Sequence, residues 1–409
     1  MNCHKRYLAC ALTAFVCLVA LSSACGGGGN DDHSIDDDAV DDDVDDDLVA
    51  DDDATDDDAV LDDDSIDEDG APVGLLVIGQ DGEGWASWRK QPDGWLREEM
   101  PLSDAPADEV FLGPSFFLNG EKGWTAWNEW SVQQTWGYEL LAYDAQSGWA
   151  RDTYHQPPDI LPPNLNFIFA PDENNLWIID NVWMLFYLDS YYLGRYVGDA
   201  PHQELSTLAV SWLAMFFPDA DSGLVSASFG GVGLLARWDS GAWSSEPIPA
   251  SYRAGVLNWM WLEDAQHGWF VWELESDFHR KLLRFDNGEW SEVTPPPGCE
   301  DSDPWRVFGA ADYAVTLDRP SPDDRFWEYR DGSWSCRRLT GAGSAAQQET
   351  ALVRRDGRVF VLTSDQTQLT SALFEVAGDA VRRLGLPPGV RVYALHDLGA
   401  EAPRFSITE

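Results

Sequence analysis

Polar and apolar residues alternate along most of the chain after Gly70, and almost no stretch shows the period of an amphipathic helix. Alternation with period two over about four to eight residues predicts β-strands with one buried face. Short Asp-Gly, Ser-Gly and Asn-Gly pairs interrupt it, and their glycines permit the positive φ that two-residue hairpin turns require. These pairs are Asp93–Gly94, Ser147–Gly148, Ser240–Gly241, Asn287–Gly288 and Asp331–Gly332. The pattern therefore predicts an all-β fold built from hairpins.

A unit of four strands recurs along residues 71–409, and its fourth strand carries a tryptophan after the hairpin turn. The clearest copy is Trp259–Pro297, and residues 212–249 and 305–339 repeat it. The recurring positions are Trp95, Trp149, Trp243, Trp290, Trp334 and Val381, with a diverged copy near Pro201–Thr207. From Trp243 onward they are 47, 44 and 47 residues apart. Four antiparallel strands repeated every ~40–50 residues are typical of a β-propeller.

The two ends of the repeat region decide the number of blades. The first copy holds only three strands, in GLLVIGQ, GWASWRKQ and WLREEM, and Val390–Asp397 reads as a single further strand. If this strand joins the first three, the ring closes with seven blades, of which six are continuous and one is shared. The last residues, RFSITE, fall outside this count, so six or eight blades stay open.

The repeat resembles that of bacterial propellers of the sialidase-like and photosystem-assembly-factor-like type. The segments that carry the resemblance are HGWFVW (residues 267–272), LLRFDNGEW (282–290) and DAQSGW (144–149). The sialidase aspartate box is matched only in part, at Asp219–Leu224 and Asp264–Trp269. The resemblance therefore implies a fold and does not extend to the sialidase reaction.

Residues 1–24 have the three-part design of a secretory signal peptide. A basic start at His4–Arg6 precedes the apolar run Tyr7–Leu21, and small residues follow up to Ala24. The run is shorter than the ~20 apolar residues of a membrane span. We therefore predict an exported protein whose leader is removed.

The residue after the leader, Cys25, resembles the lipid-carrying cysteine of bacterial lipoproteins. Ala24 fits that pattern, whereas Ser22 stands where leucine is usual. The resemblance implies a lipid anchor at Cys25, and the four glycines after it, Gly26–Gly29, suit a domain tied to a membrane. Because Gly26 gives no retention signal for the inner membrane, we expect the outer membrane or cell surface. The alternative is a secreted protein with a chance cysteine.

An acidic segment, Asp31–Asp69, precedes the repeats and contains 22 Asp and one Glu but no Lys or Arg. It supplies −23 of the net charge of −46, and Lys5 and Arg6 supply +2, so residues 71–409 carry −25. A segment of this composition cannot bury enough apolar surface to fold, so residues 25–70 are predicted to be a disordered tether. Contiguous triplets without an internal glycine do not fit an ordered calcium loop. Nucleic acid is excluded as a partner because phosphate contact needs a basic face.

Two of the six cysteines, Cys299 and Cys336, lie in the repeat region, and the other four are at or before position 25. An exported protein meets an oxidising space, so these two are candidates for a disulfide bond, with two free thiols as the alternative. No C-x-x-C pair is present, and the histidines lie singly, which suits turn or surface residues. We therefore predict neither a metal site nor a cofactor.

One aromatic-rich segment, Val182–Val197, departs from the repeat pattern. Its aromatic residues include Trp183, Tyr187, Tyr191 and Tyr192, which are candidates for stacking against a glycan or peptide. The alternative for this segment is a long buried hairpin. The acidic pairs Asp301–Asp303 and Asp323–Asp324 lie in loops that could reach a channel mouth. Such pairs are expected by chance in so acidic a chain.

The sequence thus predicts a signal peptide (1–24), a lipidated acidic tether (25–70) and a β-propeller (71–409). The predicted function is that of an extracytoplasmic, lipid-anchored, monomeric scaffold that binds a protein or glycan without catalysing a reaction. The alternative is a secreted propeller glycoside hydrolase or lyase, in which carboxylates would converge with Arg, Tyr or His at one mouth of the ring.

Overall fold

The computed structural model describes a fold made of strands and turns. The described residues are 71–102, 110–130, 136–152, 164–183, 189–197, 200–208, 211–229, 232–274, 279–310, 313–318, 325–339, 346–365, 370–399, 403 and 405–408. Within these ranges there are 29 strands and no helix, and hence no helix that could cross a membrane. The predicted signal peptide, Cys25 and the predicted acidic tether lie outside them.

The strands follow one another along the chain in seven groups. The first groups are β1 (Leu75–Asp81), β2 (Gly84–Gln91), β3 (Gly94–Glu99); β4 (Val110–Leu118), β5 (Lys122–Trp130), β6 (Trp136–Asp144), β7 (Gly148–Arg151); β8 (Asn164–Asp172), β9 (Asn175–Trp183), β10 (Asp189–Val197), β11 (Ala200–Leu208); and β12 (Ser211–Phe216), β13 (Ser222–Phe229), β14 (Val232–Asp239), β15 (Ala242–Ser245). The remaining strands are β16 (Gly255–Leu262), β17 (His267–Leu274), β18 (Arg280–Asp286), β19 (Glu289–Glu292); β20 (Pro304–Ala310), β21 (Tyr313–Asp318), β22 (Arg325–Arg330), β23 (Ser333–Arg338); β24 (Ala346–Val353), β25 (Val359–Asp365), β26 (Thr370–Ala377), β27 (Ala380–Leu384); and β28 (Arg391–Asp397) and β29 (Phe405–Thr408).

Seven antiparallel sheets form the seven blades of a β-propeller. Blade 1 has the strand order β28-β1-β2-β3, so a strand from near the end of the chain completes the blade that opens the ring. In the register of β1 and β28, Leu75 lies opposite Asp397 and Gln80 opposite Arg391. The predicted closure and the count of seven are confirmed. The diverged copy is also present, as β11 of blade 3.

The last strand, β29, was not expected from the repeat. It pairs with the edge of β4 that points away from β5, and makes blade 2 a five-stranded sheet. Phe405 lies opposite Leu118 and Thr408 opposite Ser115. Since β4 is the first strand of its blade, β29 lies on the side of blade 2 that faces the ring axis. Phe405–Thr408 therefore add a strand to an existing blade and form no eighth one.

The antiparallel order gives the ring two different faces. One face carries the turns from the first to the second and from the third to the fourth strand of each blade, and we call it the tight-turn face. Several of its turns have two residues, and at Ser240–Gly241, Asn287–Gly288 and Asp331–Gly332 both residues have positive φ, as predicted. The other face carries the connections from the second to the third strand and between blades. We call it the long-connection face, since its connections reach 12 residues at 152–163.

Aromatic side chains fill the wedges between blades. The rings of Trp85 and Trp127 pack edge to face between blades 1 and 2, with centroids 4.7 Å apart. Trp177 of blade 3 packs against Trp238 of blade 4 at 5.4 Å. A Cβ on Gly309 of blade 6 would lie 2.9 Å from the ring of Trp261 of blade 5, so only glycine admits this approach. Packed rings of this kind join neighbouring blades around the axis.

Candidate functional site

The channel along the axis is the first place where a propeller could hold a ligand. A small cavity beside the first strands of blades 4 to 7 is lined by apolar residues, among them Phe216, Met260, Phe308 and Leu352. The cavity between them has a volume of about 20 Å³, which is room for about one water molecule. On the far side β29 takes up space beside β4. A cavity of this size does not admit a sugar or a peptide.

The long-connection face is therefore the candidate site, and its best-described part lies where blades 5 and 6 meet. Arg280 begins β18 there, and its guanidinium contacts Glu273 at 2.6 Å and Asp303 at 2.9 Å. Asp303 also accepts a hydrogen bond from the Arg280 amide at 2.8 Å, and Asn258 donates one to Glu273 at 2.9 Å. The Arg280 side chain is only 4% exposed. Arg280 thus clamps the two blades, and both of its carboxylate partners are engaged.

A tryptophan supports this clamp from the side of blade 6. The guanidinium of Arg306 lies 4.7 Å from the ring centroid of Trp305, and that of Arg280 lies 5.7 Å from the same ring. Arg306 also donates a hydrogen bond to the Glu349 carbonyl oxygen of blade 7 at 2.7 Å. Cation–π contacts of this kind strengthen when they are partly desolvated. Three blades are therefore tied together beneath the long-connection face.

Asp318 differs from its charged neighbours on this face. It ends β21 and is only 2% exposed. Burial raises the pKa of this carboxyl to about 7 and the nearby carboxylate of Asp303 adds to the rise, whereas hydrogen bonding by the Ser302 side chain and the Asp303 amide and the charge of Arg325 oppose it. The group is therefore close to half ionised at neutral pH. The alternation of residue types along YAVTLD did not single out Asp318, because this pattern does not show which polar side chain is buried.

The aromatic candidates are on the same face, at blade 3. Trp183 ends β9, and Tyr191 and Tyr192 lie in β10, where they are paired with Asn181 and Asp180. The prediction that this segment departs from the repeat is wrong, because β9 and β10 are the second and third strands of an ordinary blade. The long hairpin at this place is thus real. Tyr187 and the side chains of Trp183, Tyr191 and Tyr192 lie outside the described residues. Blade 4 separates this segment from the cluster of blades 5 and 6.

The acidic pairs singled out in the sequence do not converge on one mouth in the described part of the chain. Asp301 is exposed, Asp303 is bound by Arg280, and Asp323–Asp324 lie outside the described residues. No group of three or more His, Cys, Asp or Glu within the described ranges could hold a metal ion. Of the carboxylates described at this place, Glu273 and Asp303 therefore act in pairing blades.

The connection that carries Asp303 is fastened by a disulfide bond between Cys299 and Cys336, whose Cα atoms are 5.6 Å apart. Cys299 lies in the connection 293–303, and Cys336 lies in β23, the outer strand of blade 6. Ser302 accepts a hydrogen bond from the indole N–H of Trp327. The connection is thus held to blade 6 at two points, and Asp318 lies beneath its end.

Two histidines differ in their surroundings. His267 is on the tight-turn face, where its Nδ1 lies 2.8 Å from Asp264, and this hydrogen bond raises the pKa of the imidazole. His396 in β28 is fully buried, with Nε2 2.8 Å from the Ser115 hydroxyl and its ring stacked on Phe117. The expectation that the histidines are turn or surface residues is therefore wrong for His396, whose imidazole joins blade 1 to blade 2. Neither group reaches the long-connection face.

No protein-family model matches the chain, and no curated protein matches it. Among solved structures it is similar to prolyl oligopeptidase B from Galerina marginata bound to a 25mer macrocyclization substrate, with 12% identity and a TM-score of 0.53, over 78% of this chain and 48% of that one. YCF48 from Cyanidioschyzon merolae is 12% identical with a TM-score of 0.42, over 72% and 94% of the two chains. A GH74 xyloglucanase from Xanthomonas campestris is 14% identical with a TM-score of 0.45, over 72% and 53%.

These likenesses bear on the fold. The chain spans about half the length of the first solved structures that it matches. At such identities the function of a neighbour does not transfer, because one fold carries many functions.

Proposed function

We propose that this protein is a lipid-anchored, extracytoplasmic β-propeller that binds a protein or glycan on its long-connection face and acts as a non-catalytic scaffold. The observation that carries the proposal is that the charged groups where blades 5 and 6 meet are paired with one another. Glu273, Arg280 and Asp303 are paired with one another across the blades. Groups committed to holding the ring together favour a rigid binding platform over a reaction centre.

The anchor gives this face an orientation. The leader and Cys25 resemble those of lipoproteins, and the acidic tether would follow the lipid. The ring begins at Gly74 and Leu75 on the tight-turn face, where the Gly74 oxygen accepts a hydrogen bond from Leu398 at 2.8 Å. A tether that joins the ring on this face leaves the long-connection face directed away from the membrane, where a soluble partner can approach it.

The class of ligand follows from charge and from the aromatic candidates. Residues 71–409 carry a net charge of −25, which disfavours nucleic acid and other polyanions. Trp183, Tyr187, Tyr191 and Tyr192 offer stacking surfaces for sugar rings or an extended peptide. A neutral glycan or a basic protein surface fits this combination best.

A glycoside hydrolase is the second candidate, and one observation favours it. The pKa of Asp318, about 7, would suit a general acid. Its carboxyl is buried, however, and the nearby carboxylate of Asp303 is bound by Arg280. A pair of carboxylates free to reach a substrate on both sides of a glycosidic bond would be needed.

The first experiment replaces Cys25. Cells that express the wild type, Cys25→Ala or Cys17→Ala are given a clickable fatty acid and fractionated. We expect lipid label and outer-membrane location for the wild type and for Cys17→Ala, whose substitution lies in the removed leader. The label should fall to background in Cys25→Ala. A wild type that carries no lipid label and fractionates like Cys25→Ala would show that the anchor is absent, and a secreted protein would replace the proposal.

A further inference from the structure

Every blade has a β-bulge at an equivalent place, where its first strand pairs with its second. In blade 5, for example, the pairing passes from Leu257 to Trp259 while the second strand advances by only one residue. The first strands of the other six blades each carry one extra residue in the same way. Bulges re-aim a side chain and are over-represented next to functional sites. The fold therefore sets one residue apart on the innermost strand of each blade.

Four of these extra residues lie in consecutive blades and have described side chains. They are Asn258 of blade 5, Trp305 of blade 6, Glu349 of blade 7 and Tyr393 of blade 1, and we call them the bulge arc. Each is half-buried, whereas the next residue of its strand is buried. Each also lies in the half of its strand that begins at the long-connection face. Around the ring, the arc alternates between a polar and an aromatic side chain.

The two polar members of the bulge arc are oriented by neighbouring groups. Asn258 donates a hydrogen bond from Nδ2 to Glu273 at 2.9 Å, which fixes the plane of its amide. The Glu349 carboxylate accepts a hydrogen bond from the Ser364 hydroxyl, and the Glu349 main-chain oxygen accepts one from Arg306 of blade 6 at 2.7 Å. An amide and a carboxylate that are oriented in advance bind hydroxyl groups at a smaller cost in side-chain entropy.

The two aromatic members are held by packing. The Arg306 guanidinium lies 4.7 Å from the ring centroid of Trp305. The ring of Tyr393 packs against that of Trp85 with centroids 4.8 Å apart, and the Arg391 guanidinium lies 4.9 Å from the Tyr393 centroid. The exposed part of each half-buried ring offers apolar surface beside a polar group.

We propose that the bulge arc binds a neutral oligosaccharide, with Trp305 and Tyr393 against the C–H groups of the sugar and Asn258 and Glu349 bonded to its hydroxyl groups. Sugars present apolar patches and hydroxyl groups side by side, which matches the alternation of the arc. The net charge of −25 on residues 71–409 disfavours an anionic sugar. The inference rests on the proposed function, because it names the ligand class of the long-connection face.

The position of the arc favours a slender ligand over a protein surface. The bulge arc lies on the innermost strands, and the long connections between blades surround it. The cavity beside the following residues of these strands, among them Met260, Phe308 and Leu352, has a volume of only about 20 Å³. The sugar therefore binds at the long-connection end of the strands and does not pass into this cavity.

The test is isothermal titration calorimetry of the full chain with neutral hexasaccharides of glucose, xylose, mannose or N-acetylglucosamine, and with the anionic hexasaccharide of galacturonic acid. The site variants are Asn258→Ala and Trp305→Phe. The matched controls on the tight-turn face are Asn174→Ala and Trp290→Phe. We expect a neutral hexasaccharide to bind, each site variant to raise its Kd about tenfold or more, and each control to stay within about twofold of the wild type. If a site variant does not fold, Glu349→Gln takes its place, because it keeps the shape of the side chain.

Three results overturn the sugar site: no neutral hexasaccharide binds, the site variants bind as tightly as the wild type, or galacturonate binds more tightly than every neutral hexasaccharide. A protein that crosslinks to the long-connection face in cells, while no hexasaccharide binds, would remove the sugar site and leave the proposed scaffold standing. The two ideas can therefore fail separately.

Discussion

His396 shows how a single buried residue links pH to stability. Burial lowers the pKa of its imidazole to about 3, well below the ordinary value of 6.5. The folded protein therefore keeps this histidine neutral while the unfolded chain takes up a proton below pH 6.5. Its contribution to stability is complete above pH 6.5 and is lost as the pH falls towards 3.

Because the His396 contribution to stability falls as the pH falls, we can predict the effect of His396→Gln. Between pH 6.5 and pH 4.5 the unfolding free energy of the wild type should fall by up to about 2–3 kcal/mol more than that of the variant, at about 1.4 kcal/mol per pH unit. The measurement is urea unfolding at four pH values in this range. The variant is less stable at every pH because it loses the ring stacked on Phe117, so the difference in slope carries the test. Equal slopes would show that His396 is hydrated or charged in the fold.

Asp318 works in the opposite direction. Because its folded pKa lies above that of an ordinary aspartate, its contribution is complete below about pH 4 and is lost as the pH rises to 7. The contributions of His396 and Asp318 to stability change in opposite directions with pH and partly cancel. The pH profile of the wild type alone therefore reveals neither contribution. Sequence could predict neither one, because HD at 396–397 and LD at 317–318 look like ordinary strand ends. Their burial depends on the neighbouring blade, which local alternation does not describe.

At the scale of elements, the last two strands, β28 and β29, have different structural roles. β28 supplies the first strand of blade 1 and is required for closure, whereas β29 adds a fifth strand to blade 2 after closure is complete. Closure was predictable because the first copy visibly lacked one strand. The place of β29 was not, since a strand beyond the repeat has no equivalent position in another copy.

We expect this difference to appear on truncation. A chain without residues 400–409 should keep one cooperative transition and lose about 1–3 kcal/mol, since only one four-residue edge pairing is removed. A chain that stops at residue 389 also lacks β28, leaves the edge of β1 unpaired and should lose cooperative unfolding. Thermal unfolding followed by near-ultraviolet circular dichroism separates the two. A chain ending at 389 that melts like the wild type would contradict closure by β28.

The aromatic-rich segment also belongs to a regular part of the repeat. Val182–Val197 looked foreign to the repeat because clustered aromatic residues hide the alternation of β9 and β10. The backbone pairing is nevertheless regular from Asn175 opposite Val197 to Trp183 opposite Asp189. Burial of Leu193 and Tyr196 in the core keeps the register. An aromatic-rich composition can thus conceal a repeat in the sequence although the backbone pairing of the strands preserves it.

At the scale of the whole molecule, the ring and the charge distribution are separate properties. The core that joins the blades is apolar and aromatic, while residues 71–409 carry −25. The sequence predicted the number of blades, because it follows from the repeated strand pattern. It did not predict which charged groups are engaged, because those pairs join residues of different blades, such as Arg280 and Asp303.

The central claim is that a partner binds the long-connection face. A photo-crosslinking amino acid is placed in the full chain at the exposed positions Ser251 or Asp301 of that face, or at the exposed controls Gln146 or Asp379 of the tight-turn face. Intact cells are irradiated and the crosslinked products are identified. We predict one defined product from Ser251 or Asp301 and none from Gln146 or Asp379. The same product from the tight-turn face, with none from the long-connection face, would contradict the account.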